Sequence, residues 1–240
     1  MAIKSILWED KSFDIAYEII NPSQTKTIVF LHGWGSNKEI MKQGFASTLK
    51  DYKHIYIDMP GFGKSNNNYI LGSKDYASIL KIFLDTIKID IKSSIIAGHS
   101  FGGKVSTLLN PKLLVLLSSA GIIEDKSAKT LLTIRMAKIF NKCGLGKVTK
   151  LLRSNDVNMM SENMYETFKN VVDEDFSNEF EKYTSKALLF WGQTDTATTL
   201  KSGEIMHELI KNSKFYSYDA DHYFFLKNSQ DIASKIIKED

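Results

Sequence analysis

Short apolar runs and amphipathic stretches alternate along this chain. Thr27–Leu31, His54–Ile57, Ser94–Ala97, Leu113–Leu117 and Ala187–Trp191 are each too short for a buried helix, and each ends at a Gly- or Asp-bearing turn. Such unbroken runs predict central strands of a parallel sheet, covered on both faces. Lys214–Tyr218 predicts a last strand, and Ile3–Trp8 with Phe13–Ile20 an antiparallel hairpin. Helical spacing fills the intervals Lys38–Lys50, Asp75–Lys88, Phe101–Leu109 and Leu200–Lys211, with Asp231–Lys238 as a last helix. This alternation predicts an α/β fold: a mostly parallel central sheet with helices on both faces.

One stretch breaks the alternation. From Ile122 to Lys182 no convincing strand occurs, and helical spacing takes over. Leu131, Ile134 and Lys138 share one turn pattern, Met164, Phe168 and Val171 another, and Phe176, Phe180 and Tyr183 a third. The stretch holds both arginines of the chain, Arg135 and Arg153, and four methionines, Met136, Met159, Met160 and Met164. It reads as a helical insertion between two strands, with an adaptable apolar inner face, since methionine tolerates varied shapes. The expected division is a core of residues 1–121 and 183–240 and a lid of residues 122–182.

Composition narrows the function classes. With 240 residues and 43% hydrophobic content, the chain is long enough to bury a core without a disulfide or metal staple. Its single cysteine, Cys143, rules out an intrachain disulfide and a cysteine zinc cluster. A net charge of +3 is too small to argue for nucleic acid or an anionic membrane. No apolar run is long enough for a spanning helix, and a Trp-Glu-Asp cluster stands where a signal peptide is apolar. The expectation is a cytoplasmic protein with a small-molecule substrate, largely apolar, and with no metal and no organic cofactor.

The strongest chemical signal is Gly98-His99-Ser100-Phe101-Gly102-Gly103, directly after a strand and opening a helix. It fits G-x-S-x-G. Serine at a sharp strand-to-helix turn points its oxygen away from the sheet, and the flanking glycines avoid clashes in that turn. Ser100 is therefore the expected nucleophile. A serine needs a base. Of His32, His54, His99, His207 and His222, only His222 lies in a loop after the last strand, on the same sheet edge as Ser100, where open α/β sheets bind ligands. His54 opens a strand, His207 is expected on an exposed helix face, and His99 is expected to point elsewhere from the sharp turn. His32, in the turn after Thr27–Leu31, suits a backbone role. The base needs an acid. Asp195, after the strand Ala187–Trp191, is placed on the same edge. Asp219 and Asp221 are expected to shape the His222 loop, and Asp125 is a weaker rival inside the insertion. An oxyanion hole is expected from the backbone N–H groups of Phe101, at the helix N-terminus, and Trp34, in the turn His32-Gly33-Trp34-Gly35, where the Trp34 ring also walls the site.

With those residues in place, the chain resembles the α/β-hydrolase superfamily, in its cap-bearing group of small esterases and carbon–carbon bond hydrolases. The resemblance rests on His32–Gly35, Asp58–Ser65, Gly98–Gly103, Trp191–Asp195 and Asp221-His222. It implies a helical cap inserted after the sixth strand, where Ile122–Lys182 stands, and a structural role for the Asp58–Ser65 loop. Ser100 sets the chain apart from the haloalkane dehalogenases and soluble epoxide hydrolases, which carry aspartate as nucleophile. The carbon–carbon hydrolases have Asn before the serine, Trp after the histidine and an arginine in the cap; here the first two places hold His99 and Tyr223. The expected activity is cleavage of small or medium carboxylic esters through an acyl-enzyme. Carbon–carbon bond or amide hydrolysis by the same triad is the alternative, and a ligand receptor retaining the fold the third reading.

Overall fold

A computed structural model describes residues 1–123 and 160–240. Its elements run β1 (Ala2–Trp8), β2 (Lys11–Ile20), β3 (Lys26–Leu31), α1 (Lys38–Phe45), β4 (Tyr52–Ile57), α2 (Ser73–Thr86), a 3-10 turn at Ile91–Ser93, β5 (Ile95–His99), α3 (Phe101–Leu109) and β6 (Leu113–Leu117). After residues 124–159 come α4 (Glu162–Val172), α5 (Ser177–Glu181), β7 (Lys186–Gly192), α6 (Leu200–Leu209), β8 (Ser213–Tyr218) and α7 (Phe225–Glu239).

The eight strands form one sheet in the order β1-β2-β4-β3-β5-β6-β7-β8. The first two pairings, β1 with β2 and β2 with β4, are antiparallel, and every other pairing is parallel. The period of two along the strands decides which helices go where. Ile28 and Phe30 face one side with Ile95, Ala97, Val115 and Phe190, under Met41 and Phe45 of α1 and Phe225, Ile232 and Ile236 of α7. Val29, Leu31 and Ile96 face the other side, under Tyr76, Leu80 and Phe83 of α2 and Phe101 and Val105 of α3. Leu114, Leu116, Leu189 and Trp191 are covered by Phe180 of α5 and by Met206 of α6. Side chains on both faces of the central strands are withdrawn from water, which explains why these strands read as unbroken apolar runs.

Chain order reverses between β3 and β5. From β3 the chain moves out to β4, then returns to the other flank, where Leu31 pairs with Gly98. Such a switch point leaves a crevice beyond the carboxyl ends of the two strands. The turns at His32–Gly35 and His99–Ser100 both emerge there.

The Asp58–Ser65 stretch anchors this edge. Asp58 is fully buried; its Oδ1 accepts the Lys38 backbone N–H at 2.7 Å, and its Oδ2 accepts the Lys38 ammonium at 2.9 Å and the Lys64 N–H at 3.0 Å. Ser65 donates to the Asp58 carbonyl at 2.5 Å and accepts from the Ala16 N–H at 2.8 Å, so the loop is sewn to β2 as well. Asp58→Ala leaves a buried ammonium and two N–H groups without their acceptor. The expected cost is about 3–5 kcal/mol, read by chemical denaturation. Stability within 1 kcal/mol of the parent would refute the anchoring role.

The helices α4 and α5 lie between β6 and β7, where the inserted helical segment was expected. Met164 and Val171 of α4 are buried and Phe168 is half-buried, the inner stripe that their spacing predicts. Of Phe176, Phe180 and Tyr183, only Phe180 falls inside a helix, because α5 is a single short turn. α4 docks on the loop before α2: Asn163 donates to the Asn67 carbonyl at 2.9 Å, and the Thr167 hydroxyl accepts the Leu71 N–H at 3.0 Å. The Leu131, Ile134 and Lys138 pattern, Asp125, Cys143 and both arginines lie outside the described residues. Among the described residues, no helix is long and apolar enough to cross a membrane.

Candidate active site

Ser100 sits between β5 and α3 with φ 51° and ψ −117°, a backbone conformation that costs energy for a residue with a side chain. Three hydrogen bonds hold it there. Its N–H donates to the Leu117 carbonyl at 3.1 Å, and its own carbonyl accepts from Gly103 N–H at 2.9 Å and Ala120 N–H at 3.0 Å. Ser100 lines a cavity at this edge of the sheet. α3 begins at Phe101, so that residue's N–H belongs to the first turn, at the positive end of the helix dipole.

Asp195 and His222 come together from the loops after β7 and β8. His222 Nδ1 lies 2.7 Å from Asp195 Oδ2. The carboxylate is fully buried and also accepts the N–H groups of Ala197 and Thr198 through Oδ1, at 2.8 and 3.0 Å. Burial raises its pKa, but the His222 and Thr198 hydrogen bonds outweigh that and hold it at about 2. An ionised carboxylate only accepts, so Nδ1 carries the proton and Nε2 of a neutral His222 is a bare lone pair. The Thr198 hydroxyl, 3.1 Å from the same Oδ2 and 3.1 Å from the Ser118 carbonyl, braces the acid. Thr198 went unnoticed in the sequence, although its Asp-x-x-Thr spacing is the signal of such a local turn.

The remaining histidines separate by their partners. His32 is buried; its Nδ1 lies 2.8 Å from the Gly33 carbonyl and its Nε2 accepts the Met59 N–H at 3.0 Å, so its side chain ties the turn after β3 to the turn after β4. Burial holds its pKa at about 4, and it stays neutral. His54 is buried in β4 between Tyr56 and the Leu49 carbonyl, at 2.8 and 3.0 Å. His207 is exposed on α6. Asp221 accepts the Tyr223 N–H at 2.9 Å and shapes the loop, as its position suggests.

Two cavities flank the Trp34 ring. One, about 200 Å³, is lined by Ser100, Phe101, Lys104, Phe168, Val171 and Thr198 among others. The second, about 590 Å³, is lined by Phe62, Met160, Met164 and Tyr223 among others. The ring meets Phe62, Phe101 and Phe168 at centroid distances of 4.9, 5.5 and 5.3 Å. Trp34 therefore contributes a wall as well as a backbone N–H in the turn after β3.

Lys104 lies one turn beyond Ser100 on α3. In a chain this rich in lysine its position alone carried no signal, yet it is 1% exposed. Its ammonium donates to the carbonyls of Val171 and Glu174, at 2.7 and 2.9 Å, and lies 5.0 Å from the Phe176 ring centroid. It thus caps the end of α4. Burial lowers its pKa to about 8, against the opposing pull of the carboxylates of Glu174, Asp173 and Asp175. A folded pKa below the ordinary 10.5 means the native state sheds this proton before the unfolded chain does. Between pH 8 and 10.5 the unfolded state binds more protons, so native stability rises with pH. Over that window the parent is expected to gain about 3 kcal/mol relative to Lys104→Met, measured by urea denaturation at both pH values. Parallel pH curves for the two proteins would sink this.

Among the described residues, no group of three His, Cys, Asp or Glu side chains is gathered as a metal site requires. What the arrangement offers is a strained serine, an imidazole with a bare nitrogen, a buried carboxylate behind it and backbone donors at a helix start.

Residues 28–231 match the model of the alpha/beta hydrolase family. An uncharacterized hydrolase of Bacillus subtilis (strain 168), YugF, is 25% identical over 235 residues, with 85% of each chain covered. Two esterases share the fold. That of Thermogutta terrifontis has a TM-score of 0.73 at 17% identity, covering 99% of this chain and 97% of its own. That of Exiguobacterium antarcticum has 0.73 at 20% identity, with 95% of each covered.

Proposed function

The chain belongs to the alpha/beta hydrolase family, and on that premise we propose that it cleaves small or medium carboxylic esters through an acyl-enzyme built on Ser100, His222 and Asp195. His222 Nε2 takes the Ser100 hydroxyl proton as Oγ attacks the ester carbonyl carbon. The backbone N–H groups of Phe101 and Trp34 receive the oxyanion. The tetrahedral intermediate collapses, the bond to the alkoxide breaks, and His222 returns the proton to the leaving alcohol. Water, deprotonated by His222, then attacks the acyl-Ser100 ester and releases the carboxylic acid. Asp195 fixes the tautomer throughout and offsets the charge of the imidazolium.

One observation carries this reading: the 2.7 Å contact between Asp195 and His222 Nδ1, which supports Nε2 as the base, while the strained turn at residue 100 supports Ser100 as the nucleophile. Residues 122–182 are the lid of this proposal, with α4 supplying Phe168, Val171 and Val172 to the wall of the Ser100 cavity. An ester is favoured over an acidic diketone. The described residues around Ser100 are mostly apolar, and the charged one among them, Lys104, already has its ammonium on two carbonyls. His99 and Tyr223, in place of Asn and Trp, point the same way. The test is a fluorophosphonate probe followed by peptide mapping. Covalent labelling of Ser100, blocked in His222→Ala, is expected. A native protein that stays unlabelled sinks the hydrolase reading and favours a receptor.

A further inference from the structure

His99, the last residue of β5 and the immediate neighbour of Ser100, is 1% exposed, and it does not turn away from the site. Its Nε2 lies 3.1 Å from the main-chain carbonyl oxygen of His222. A carbonyl only accepts, so Nε2 carries the hydrogen and Nδ1 is a bare nitrogen. That Nδ1 is buried and has no hydrogen-bond partner, an unfavourable state for a polar atom. It faces the turn after β3: a β-carbon on Gly33 would stand 3.0 Å from it. The ring itself is held by the loop after β8 and the start of α7. Its centroid is 4.4 Å from that of His222, 5.3 Å from Tyr223 and 4.9 Å from Phe225.

We infer that His99 is a positioning residue for the base: its Nε2–H fixes the main chain of His222, and so sets where the His222 imidazole stands relative to Ser100. This rests on the triad reading above. The geometric logic is economical. One strand end carries the nucleophile and, one residue earlier, the donor that locates the base, so the two reacting groups share a single rigid reference. A residue that tolerates an orphaned Nδ1 to make this one bond is not there for burial alone, since an apolar side chain would fill the space without that cost. Burial and the adjacent His222 also hold the His99 ring neutral, with a pKa of about 3. Its proton therefore stays on Nε2 through a turnover that charges its neighbour.

Glutamine and methionine are close in shape, and only glutamine carries a donor near the position of Nε2. With a p-nitrophenyl ester, His99→Met is expected to lose roughly 10- to 100-fold in kcat with KM changed less than about threefold, the signature of a misplaced catalytic group rather than a lost binding contact. His99→Gln is expected to recover most of that loss. Fluorophosphonate labelling of Ser100 should slow in parallel. Assays are run well below the thermal midpoint of each variant, and His99→Ala replaces the methionine variant if that does not fold. Equal kcat in the glutamine and methionine variants, or a donor-free variant at parental kcat, overturns the positioning role while leaving the hydrolase reading intact. A parent that neither turns over esters nor labels at Ser100 overturns both.

Discussion

Ser100→Ala is expected to lower kcat for p-nitrophenyl acetate or butyrate by about 10⁵-fold or more, with the fold unchanged. The size of the effect follows from what remains. Without Oγ no acyl-enzyme forms, and His222 Nε2 has no hydroxyl to deprotonate. On the proposed mechanism the backbone N–H groups of Phe101 and Trp34 still offer an oxyanion site, so a residual acceleration over bulk water of roughly 10³–10⁴ is expected from binding and electrostatics alone. Stability is expected to stay within about 1 kcal/mol, because the hydrogen bonds that hold position 100 are made by its backbone and survive the substitution. Activity persisting at more than a few per cent in Ser100→Ala would remove the serine from the chemistry.

Gly98→Ala should fail at an earlier stage. A β-carbon at position 98 overlaps the Gly102 carbonyl and the Ser106 hydroxyl, which are themselves hydrogen-bonded at 2.7 Å. α3 has nowhere to retreat, since Gly102 lies against the main chain of Leu31 and His32 on β3 and the turn after it. The methyl group must therefore prise α3 from the two central strands at once. A cost above about 4 kcal/mol is expected, enough to leave much of the protein unfolded or insoluble. Circular dichroism and a urea titration decide it. A variant with a parental melting midpoint would show that α3 can shift where the close approach says it cannot. The two substitutions separate chemistry from architecture at residues two apart.

The centre of the sheet was legible in the sequence because its strands are buried on both faces, and burial writes itself as unbroken apolar runs. The helix limits were less so. α1 stops at Phe45 rather than at Lys50, since Leu49 adopts φ 44° and Thr48 turns back to bond the Phe45 carbonyl. α7 starts at Phe225, six residues before the expected Asp231. The aromatic run Tyr223-Phe224-Phe225 at its start looks like a strand or loop locally, and long-range packing of Phe225 on Phe45 of α1, at 6.0 Å, and on His99, at 4.9 Å, places it in the core. The same distinction holds at the site. Ser100, Asp195 and His222 announce themselves by position in a motif or after a strand. Lys104, His32 and His99 act through carbonyls or amides that include partners 27 to 123 residues away, and no local pattern encodes those.

α3 bears both Phe101, the oxyanion donor of the proposed mechanism, and, one turn on, the lysine that grips the end of α4. On that proposal, chemistry and size selection share one lever. A substrate too broad for the cavity beside Ser100 would push α4 against Lys104, and so load the helix whose first amide is to meet the oxyanion. In that reading, misfit against α4 would be felt at the reacting carbonyl. Oversized acyl groups should then be admitted and turned over slowly, so the enzyme would discriminate among them by rate more than by affinity.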